Sequence, residues 1–213
     1  VNEMRQIYDV KTLSTEFDKV PADVDVLMIA HPQHLSDKTL YAIDQFVLKG
    51  GRALVFVDPD SETQHMHPSQ LNPPNAPNDS DLPKLFAAWG VRLVPKMVVG
   101  DREAARKVNA GTESQVQAVD YVAWLSLKKP NFDHSDLITA DLSQINMATA
   151  GIIEPVKGAK TSFTPLISSS KDSEEIPVAK VQGTPDVAGL LQNFKADGKP
   201  LTRAAPITGP AQT

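Results

Sequence analysis

The stretch that decides the fold class runs from Val20 to Asp58 and reads VPADVDVLMIAHPQHLSDKTLYAIDQFVLKGGRALVFVD. Residues 24–30 are almost continuously apolar and end at His31-Pro32, which is typical of a buried strand. This run has too little polar alternation for a strand with one face in water, so it favours a parallel sheet covered on both sides. A second apolar run follows at residues 53–57.

Between these two runs the sequence predicts a helix. Ser36 is a good N-cap, and Asp37 places a negative charge in the first turn. Apolar residues then recur at helical spacing on one face: Leu40, Ile43, Phe46 and Val47. Lys49-Gly50-Gly51 is typical of a helix C-terminus. Strand, helix and strand form a βαβ unit, whose crossover we expect to be right-handed.

Outside this unit we expect the α/β pattern to continue. Further predicted elements are a strand at 6–10, helices at 12–19, 81–89 and 187–194, strands at 91–99, 121–127, 145–153 and 163–168, a mobile loop at 168–184, and an extended segment at 201–207. The predicted fold is therefore α/β, with a Rossmann- or flavodoxin-like, mostly parallel sheet, helices on both faces and an irregular β-containing C-terminal part. We expect a single domain over 1–213, with a core at about 1–168, an exposed proline-rich loop at 58–81 and an extension at 169–213.

The composition excludes several classes of function. The chain has 21 Lys and Arg against 26 Asp and Glu, and lacks a basic cluster, which argues against nucleic acid as a partner. It has no cysteine, so thiolate metal sites and cysteine nucleophiles are excluded. Neither a phosphate-binding glycine motif nor a G-x-S-x-G elbow occurs. No apolar run approaches the roughly 20 residues of a membrane span. Because the sequence starts at Val1 rather than at a methionine, we expect a fragment of a larger protein.

Polar residues at the ends of predicted strands are the candidates for a ligand pocket. Ligands on open α/β sheets bind beyond the carboxyl ends of the strands. His31 follows the first core strand, Asp58 and Asp60 follow the second, and Asp101 follows the strand after the long loop. Two neighbouring carboxylates could hold magnesium or calcium. The alternative, which we favour, is that these are ordinary turn residues.

Three histidines are candidates for either metal ligands or structural residues. His65 and His67 have a spacing that could clamp a transition metal if further ligands arrived from elsewhere, but the sequence supplies none. His134 is expected to be solvated or structural. We therefore expect no metal and no cofactor, and because no catalytic motif is present we expect that the protein is not an enzyme.

Several segments are similar to one known family. They are 20–30 (VPADVDVLMIA), 35–36 (LS), 41–48 (YAIDQFVL), 50–59 (GGRALVFVDP), 85–91 (LFAAWGV), 164–170 (TPLISSS) and 201–211 (LTRAAPITGPA). The chain resembles the extracytoplasmic domain of the auxiliary proteins of uncharacterised ABC-type transport systems, which are related to the gliding-motility auxiliary protein. That family resembles glutamine-amidotransferase-like α/β domains in architecture. Amidotransferase activity itself depends on a cysteine nucleophile, which this chain lacks.

The resemblance implies a context and no catalytic residues. It implies a noncatalytic domain at the extracytoplasmic or periplasmic face of the cytoplasmic membrane, attached through segments outside this chain. Its partners would be the membrane and ATPase subunits of the transporter, and it would bind a partner protein or a transported substrate. The proline-rich loop is the expected contact. The alternative is a small-molecule or carbohydrate-binding module, or a weak hydrolase, that uses the predicted pocket.

Overall fold

The structure is a computed structural model that describes residues 1–66, 76–111 and 117–211. The chain contacts divide it into two compact units, Val1–Phe56 and Val57–Thr213, which we call the N-terminal unit and the C-terminal unit. Compact units can belong to one domain, so the single domain over 1–213 stays a prediction.

The N-terminal unit contains the predicted βαβ arrangement. After a 3₁₀ turn at Met4–Gln6 it consists of β1 (Val26–Ala30), α1 (Asp37–Leu48) and β2 (Arg52–Phe56). The two strands pair in parallel. The Ser36 hydroxyl accepts a hydrogen bond from the Thr39 amide at 3.3 Å, so the predicted N-cap is confirmed. The predicted strand at 6–10 and helix at 12–19 are wrong, because these residues form neither.

The C-terminal unit consists mainly of strands. In chain order the described elements are α2 (Glu62–Met66), α3 (Pro83–Trp89), β3 (Val91–Asp101), β4 (Ala105–Asn109), β5 (Ala118–Lys128), β6 (Gln144–Ala148), β7 (Gly151–Pro155), β8 (Ser162–Phe163), β9 (Ile167–Ser168), β10 (Ser173–Pro177), α4 (Val187–Gln192), β11 (Thr202–Ala204) and β12 (Ile207–Thr208), with 3₁₀ turns at Lys129–Asn131 and Val178–Lys180. The sheets have the orders β10-β3-β7 and β4-β5-β6, with two further strand pairs, β11-β9 and β12-β8.

The predicted Rossmann- or flavodoxin-like fold is wrong. Every strand pairing described in the C-terminal unit is antiparallel, and the parallel pairing is that of β1 with β2. The physical reason lies in the connections. Neighbouring parallel strands need a crossover of a dozen or more residues, usually a helix, whereas only residues 110–117 separate the paired strands β4 and β5.

The core of the C-terminal unit lies on both sides of its two long strands. Val99 of β3 and Leu125 of β5 belong to one apolar cluster, together with Ile152 and Leu201. Val98 of β3 and other residues of β5 belong to a second cluster, with members Tyr121, Val122, Ala123, Ile176, Val178, Val181 and Phe194. Adjacent residues of an extended strand point to opposite faces. Val98 and Val99 of β3 are both fully buried, as are Val122 and Ala123 of β5, so these strands are buried on both sides without being parallel.

The structure of the C-terminal unit confirms one local prediction and contradicts two others. The helix ending at Gly90 is confirmed, because α3 ends there and Gly90 adopts the left-handed conformation at φ 76°. The single strand at 145–153 is wrong: Thr149, at φ 46°, separates β6 from β7, which belong to different sheets. The mobile loop at 168–184 is also wrong, because it contains β10, which pairs with β3.

Candidate functional site

The four residues of the predicted pocket belong to both units. His31 follows β1 in the N-terminal unit, where its amide donates to the Phe56 carbonyl at 2.9 Å. Its backbone has φ 51°, in the left-handed region, so it forms the sharp turn that ends the strand. Asp58, Asp60 and Asp101 belong to the C-terminal unit.

Asp58 and Asp60 fasten the segment that follows β2. The Asp58 carboxylate accepts from the Asp60 amide at 3.0 Å, as an Asx turn does. The Asp60 side chain is 1% exposed and accepts hydrogen bonds from the Asn78 amide group at 2.7 Å and the Gln182 amide group at 3.0 Å. The donors lie far away in the sequence, so Asp60 ties three segments of the C-terminal unit together.

Asp101 is completely buried at the end of β3 and holds the turn that follows. One carboxylate oxygen accepts from the amides of Glu103 at 3.0 Å and Ala104 at 3.2 Å, and from the Ser170 hydroxyl at 2.8 Å. The other accepts from the Ser170 amide at 2.6 Å. These four donors therefore engage both oxygens of the carboxylate. The predicted ligand pocket stays a prediction, and the bonds of these aspartates assign them a part in holding turns.

The histidines weighed as metal ligands give no metal centre in the described part of the chain. His67 and the side chain of His65 lie outside the described residues. The two ring nitrogens of His134 lie 2.9 Å from the carbonyl oxygens of Ala140 and Lys129, which is a structural role. Within residues 1–66, 76–111 and 117–211, no group of three or more His, Asp or Glu residues is placed to hold a metal ion.

One cavity of the C-terminal unit lies between α3 and the segment after β7. It has a volume of about 90 Å³ and is lined by Ala87, Gly90 and residues 156–161, among others. Sites for small organic ligands usually measure roughly 300–1,000 Å³. The cavity is therefore too small for a sugar or a nucleotide.

The N-terminal unit carries an exposed apolar surface that the sequence did not predict. Alternate residues of β1 and β2 point away from α1, and four of them have large exposed fractions: Val26 (53%), Met28 (44%), Leu54 (48%) and Phe56 (50%). Ala30 is exposed beside Phe56, its partner in the register. We call these five residues the N-terminal apolar face. Arg52, also exposed on this side, adds a positive charge next to Val26.

The other side of the same two strands faces α1 and is buried. Leu27 of β1 is 8% exposed, while Ala42 and Ile43 of α1 are 5% and 1% exposed. The sheet is thus covered by a helix on one face and open on the other. Parallel sheets normally have both faces covered, and the prediction that both faces are buried fails in the described residues. No sequence signal could have shown this, because both faces of β1 and β2 have apolar residues.

The comparisons with known proteins identify the family. The chain matches, over residues 1–213, the family model described as ABC-type uncharacterized transport system, so it belongs to that family and is an auxiliary component of an ABC-type transport system. This confirms the family suspected from the sequence. Comparison with curated proteins and with solved structures gives no match. Among the described residues, no helix has the length and apolar character needed to cross a membrane.

Proposed function

We propose that this chain is a noncatalytic domain on the extracytoplasmic side of the membrane, where it binds a partner protein of its ABC-type transport system. The observation that carries the proposal is the N-terminal apolar face. Membership of the transport family supports the context. The bonds of Asp60 and Asp101 support a noncatalytic role, because these buried carboxylates are already engaged by protein donors.

The size of the N-terminal apolar face decides what kind of partner it fits. Its four large side chains are each about half exposed, which leaves on the order of 350 Å² of apolar surface if a full side chain presents roughly 150–200 Å². The largest apolar patch on a monomer typically measures about 300–600 Å² and is often functional. A stable pair of proteins buries roughly 800 Å² on each side, so this face is too small to hold a self-dimer by itself.

The geometry of the face selects an amphipathic α-helix as its occupant. Parallel sheets are covered by helices on both faces, and α1 already covers the opposite face in this way. One helix laid across two strands covers a patch of this size, and Arg52 at its end favours a helix that carries an acidic residue there. A small apolar face suffices for binding when the two proteins are already held together elsewhere in the same assembly, because binding at the face is then effectively intramolecular. The proposed occupant is therefore a helix of another subunit of the transport system.

Site-specific photo-crosslinking in the intact transport complex tests this proposal. A benzophenone amino acid replaces Phe56 of the N-terminal apolar face in one variant and Tyr41 of α1, which is 64% exposed, in the control variant. We expect a crosslink from position 56 to another subunit of the system and none from position 41. A crosslink from position 56 to a second copy of this chain, or no crosslink in the assembled complex, would contradict the proposal.

A further inference from the structure

A second feature lies in the C-terminal unit, where an arginine is the extra residue of a β-bulge. Strand β11 pairs with β9 so that Thr202 lies opposite Ser168 and Ala204 opposite Ile167, and the register shifts between Thr202 and Ala204. Arg203 therefore has no place in the ladder. Bulges change the direction of a side chain and are often found beside functional sites.

The guanidinium group of Arg203 is buried without a hydrogen-bond partner. Its Nε, Nη1 and Nη2 atoms each expose less than 1 Å², and none has an acceptor among the described residues. Leu201, two residues before Arg203, is 3% exposed in an apolar cluster that includes Leu166 and Ile167. A guanidinium has five N–H donors, and buried donors without acceptors lose the hydration that they have in the unfolded chain.

Arg203 keeps its positive charge in this environment. Burial lowers the pKa of the guanidinium to about 10, and the charge of Asp101 acts in the opposite direction. A group with a pKa of about 10 remains protonated at neutral pH. A buried charge needs a counter-ion or dense hydrogen bonding to be stable.

The acidic groups around this region are already engaged by other donors. Asp101 accepts from two backbone amides and from both the amide and the hydroxyl of Ser170. Glu154, on the strand β7 that packs against β11, is bonded to Arg92 at 2.6 Å. Asp172 is bonded to Arg102 at 2.8 Å. Asp101 therefore acts on Arg203 through its charge, but none of these carboxylates accepts a hydrogen bond from the guanidinium.

We propose that Arg203 is the anchor of a binding site for a small free carboxylate. The planar fork of a guanidinium matches the two oxygens of a carboxylate, which it binds through paired hydrogen bonds. A free acid fits better than a carboxylate on a polypeptide, because the covered nitrogens leave no surface on which a chain could lie. For the acid to enter, the segment that buries the guanidinium must open locally. Strands β11 and β12 have only three and two residues, so few interstrand hydrogen bonds oppose this opening.

A binding arginine differs from a purely structural one in that the stability it provides increases when the ligand is present. Replacing Arg203 by methionine leaves the buried charge of Asp101 without the opposite charge that acts on it, which is destabilising. In buffer without a carboxylate, Arg203→Met should therefore melt at a lower temperature than the original protein. With the carboxylate, the original protein should gain stability and the variant should not, because a ligand stabilises the state that binds it.

Thermal unfolding of the full chain tests the proposal, with sodium acetate as the probe in a buffer whose only other anion is a bulky sulfonate. At constant ionic strength we expect acetate to raise the melting temperature saturably, acetamide to have no effect, and Arg203→Met to abolish the shift. Arg92→Met is the matched control, because Arg92 is an exposed arginine paired with Glu154, and it should keep the acetate shift.

Three outcomes would overturn the proposal. Acetate could fail to raise the melting temperature of the original protein more than the sulfonate salt does. Chloride could give the same saturable shift, which would show a site for any small anion. Acetate could raise the melting temperature of Arg203→Met as much as that of the original protein, which would show that the anion binds elsewhere. If Arg203→Met does not fold, Arg203→Lys keeps the charge but removes the fork, and an undiminished acetate shift in that variant would equally refute the carboxylate site.

Discussion

Replacing Asp101 by alanine tests whether the buried carboxylates hold the fold or serve a ligand. Asp101 is fully buried and accepts four hydrogen bonds. A hydrogen bond to a charged group contributes roughly 1.5–3 kcal/mol, and the amide of the exposed residue Glu103 can be rehydrated when its acceptor is lost. The other three donors cannot all find water, so we expect Asp101→Ala to lower the free energy of unfolding by about 4 kcal/mol.

Urea denaturation followed by tryptophan fluorescence measures this loss. Both tryptophans, Trp89 and Trp124, belong to the C-terminal unit and report on the unit that contains Asp101. With a slope of about 2 kcal/mol per molar urea, the midpoint should fall by roughly 2 M. The matched control is Asp133→Ala, because Asp133 accepts from the amide and hydroxyl of Ser135 in an exposed turn, and we expect a much smaller shift there.

An equal, small shift in both variants would refute this reasoning. It would mean that the four bonds of Asp101 add little to stability, and the ligand-pocket interpretation of the strand ends would then gain weight. If Asp101→Ala does not accumulate as a folded protein, Asp101→Asn keeps the size of the side chain but turns an N–H group toward one of the donors, and it should still lower the midpoint.

Two further predictions follow from the C-terminal unit. Gly90→Ala should lower the free energy of unfolding by about 2–4 kcal/mol, since φ is 76° and an added Cβ would meet Thr161 and lie 2.6 Å from the Ala159 Cβ. The control variant Gly158→Ala, at φ 83° with open space around it, should lower it by only about 1 kcal/mol. Equal losses for the two variants in urea denaturation would contradict the argument from crowding at Gly90. Tyr121→Phe should raise the free energy of unfolding by about 1 kcal/mol, because the buried Tyr121 hydroxyl has no hydrogen-bond partner among the residues that the structure describes. Burial raises the pKa of Tyr121 above its usual value of 10.0, so the original protein should lose stability faster than the variant as pH rises above 10, where the unfolded tyrosine ionises first; parallel pH profiles would contradict this.

The N-terminal unit could be predicted from the sequence because its structure is local. The helix has its cap at Ser36, its apolar stripe and its glycines within one short segment, and two strands joined by such a helix can pair in parallel without information from elsewhere. The exposure of its second face could not be predicted. Val26 and Leu54 have the same apolar character as the buried residues beside them, and only the absence of a covering element among the described residues distinguishes them.

The C-terminal unit could not be predicted because its structure depends on long-range pairing. The segment 168–184 is rich in serine and charged residues, yet Ser173 is fully buried and Ile176 lies opposite Val98 of β3. Periodicity describes the faces of one strand but does not say which strand will be its neighbour. The turn chemistry of Asp58, Asp60 and Asp101 was anticipated as the alternative to a ligand pocket. The sequence did not indicate that Arg203 lies in a β-bulge, because a bulge depends on how two strands pair and not on the sequence of one.

The most direct test of the proposed partner contact uses the absence of cysteine from this sequence of 213 residues. A single cysteine placed at Leu54, on the N-terminal apolar face, or at Tyr41, on α1, gives a thiol whose maleimide labelling rate reports its exposure. The rates are compared in the full-length protein alone and in the assembled transport complex. We expect labelling at position 54 to slow at least about tenfold on assembly while position 41 is unchanged, the equivalent of about 1.4 kcal/mol of protection. Equal labelling rates at position 54 in the two states would contradict the account.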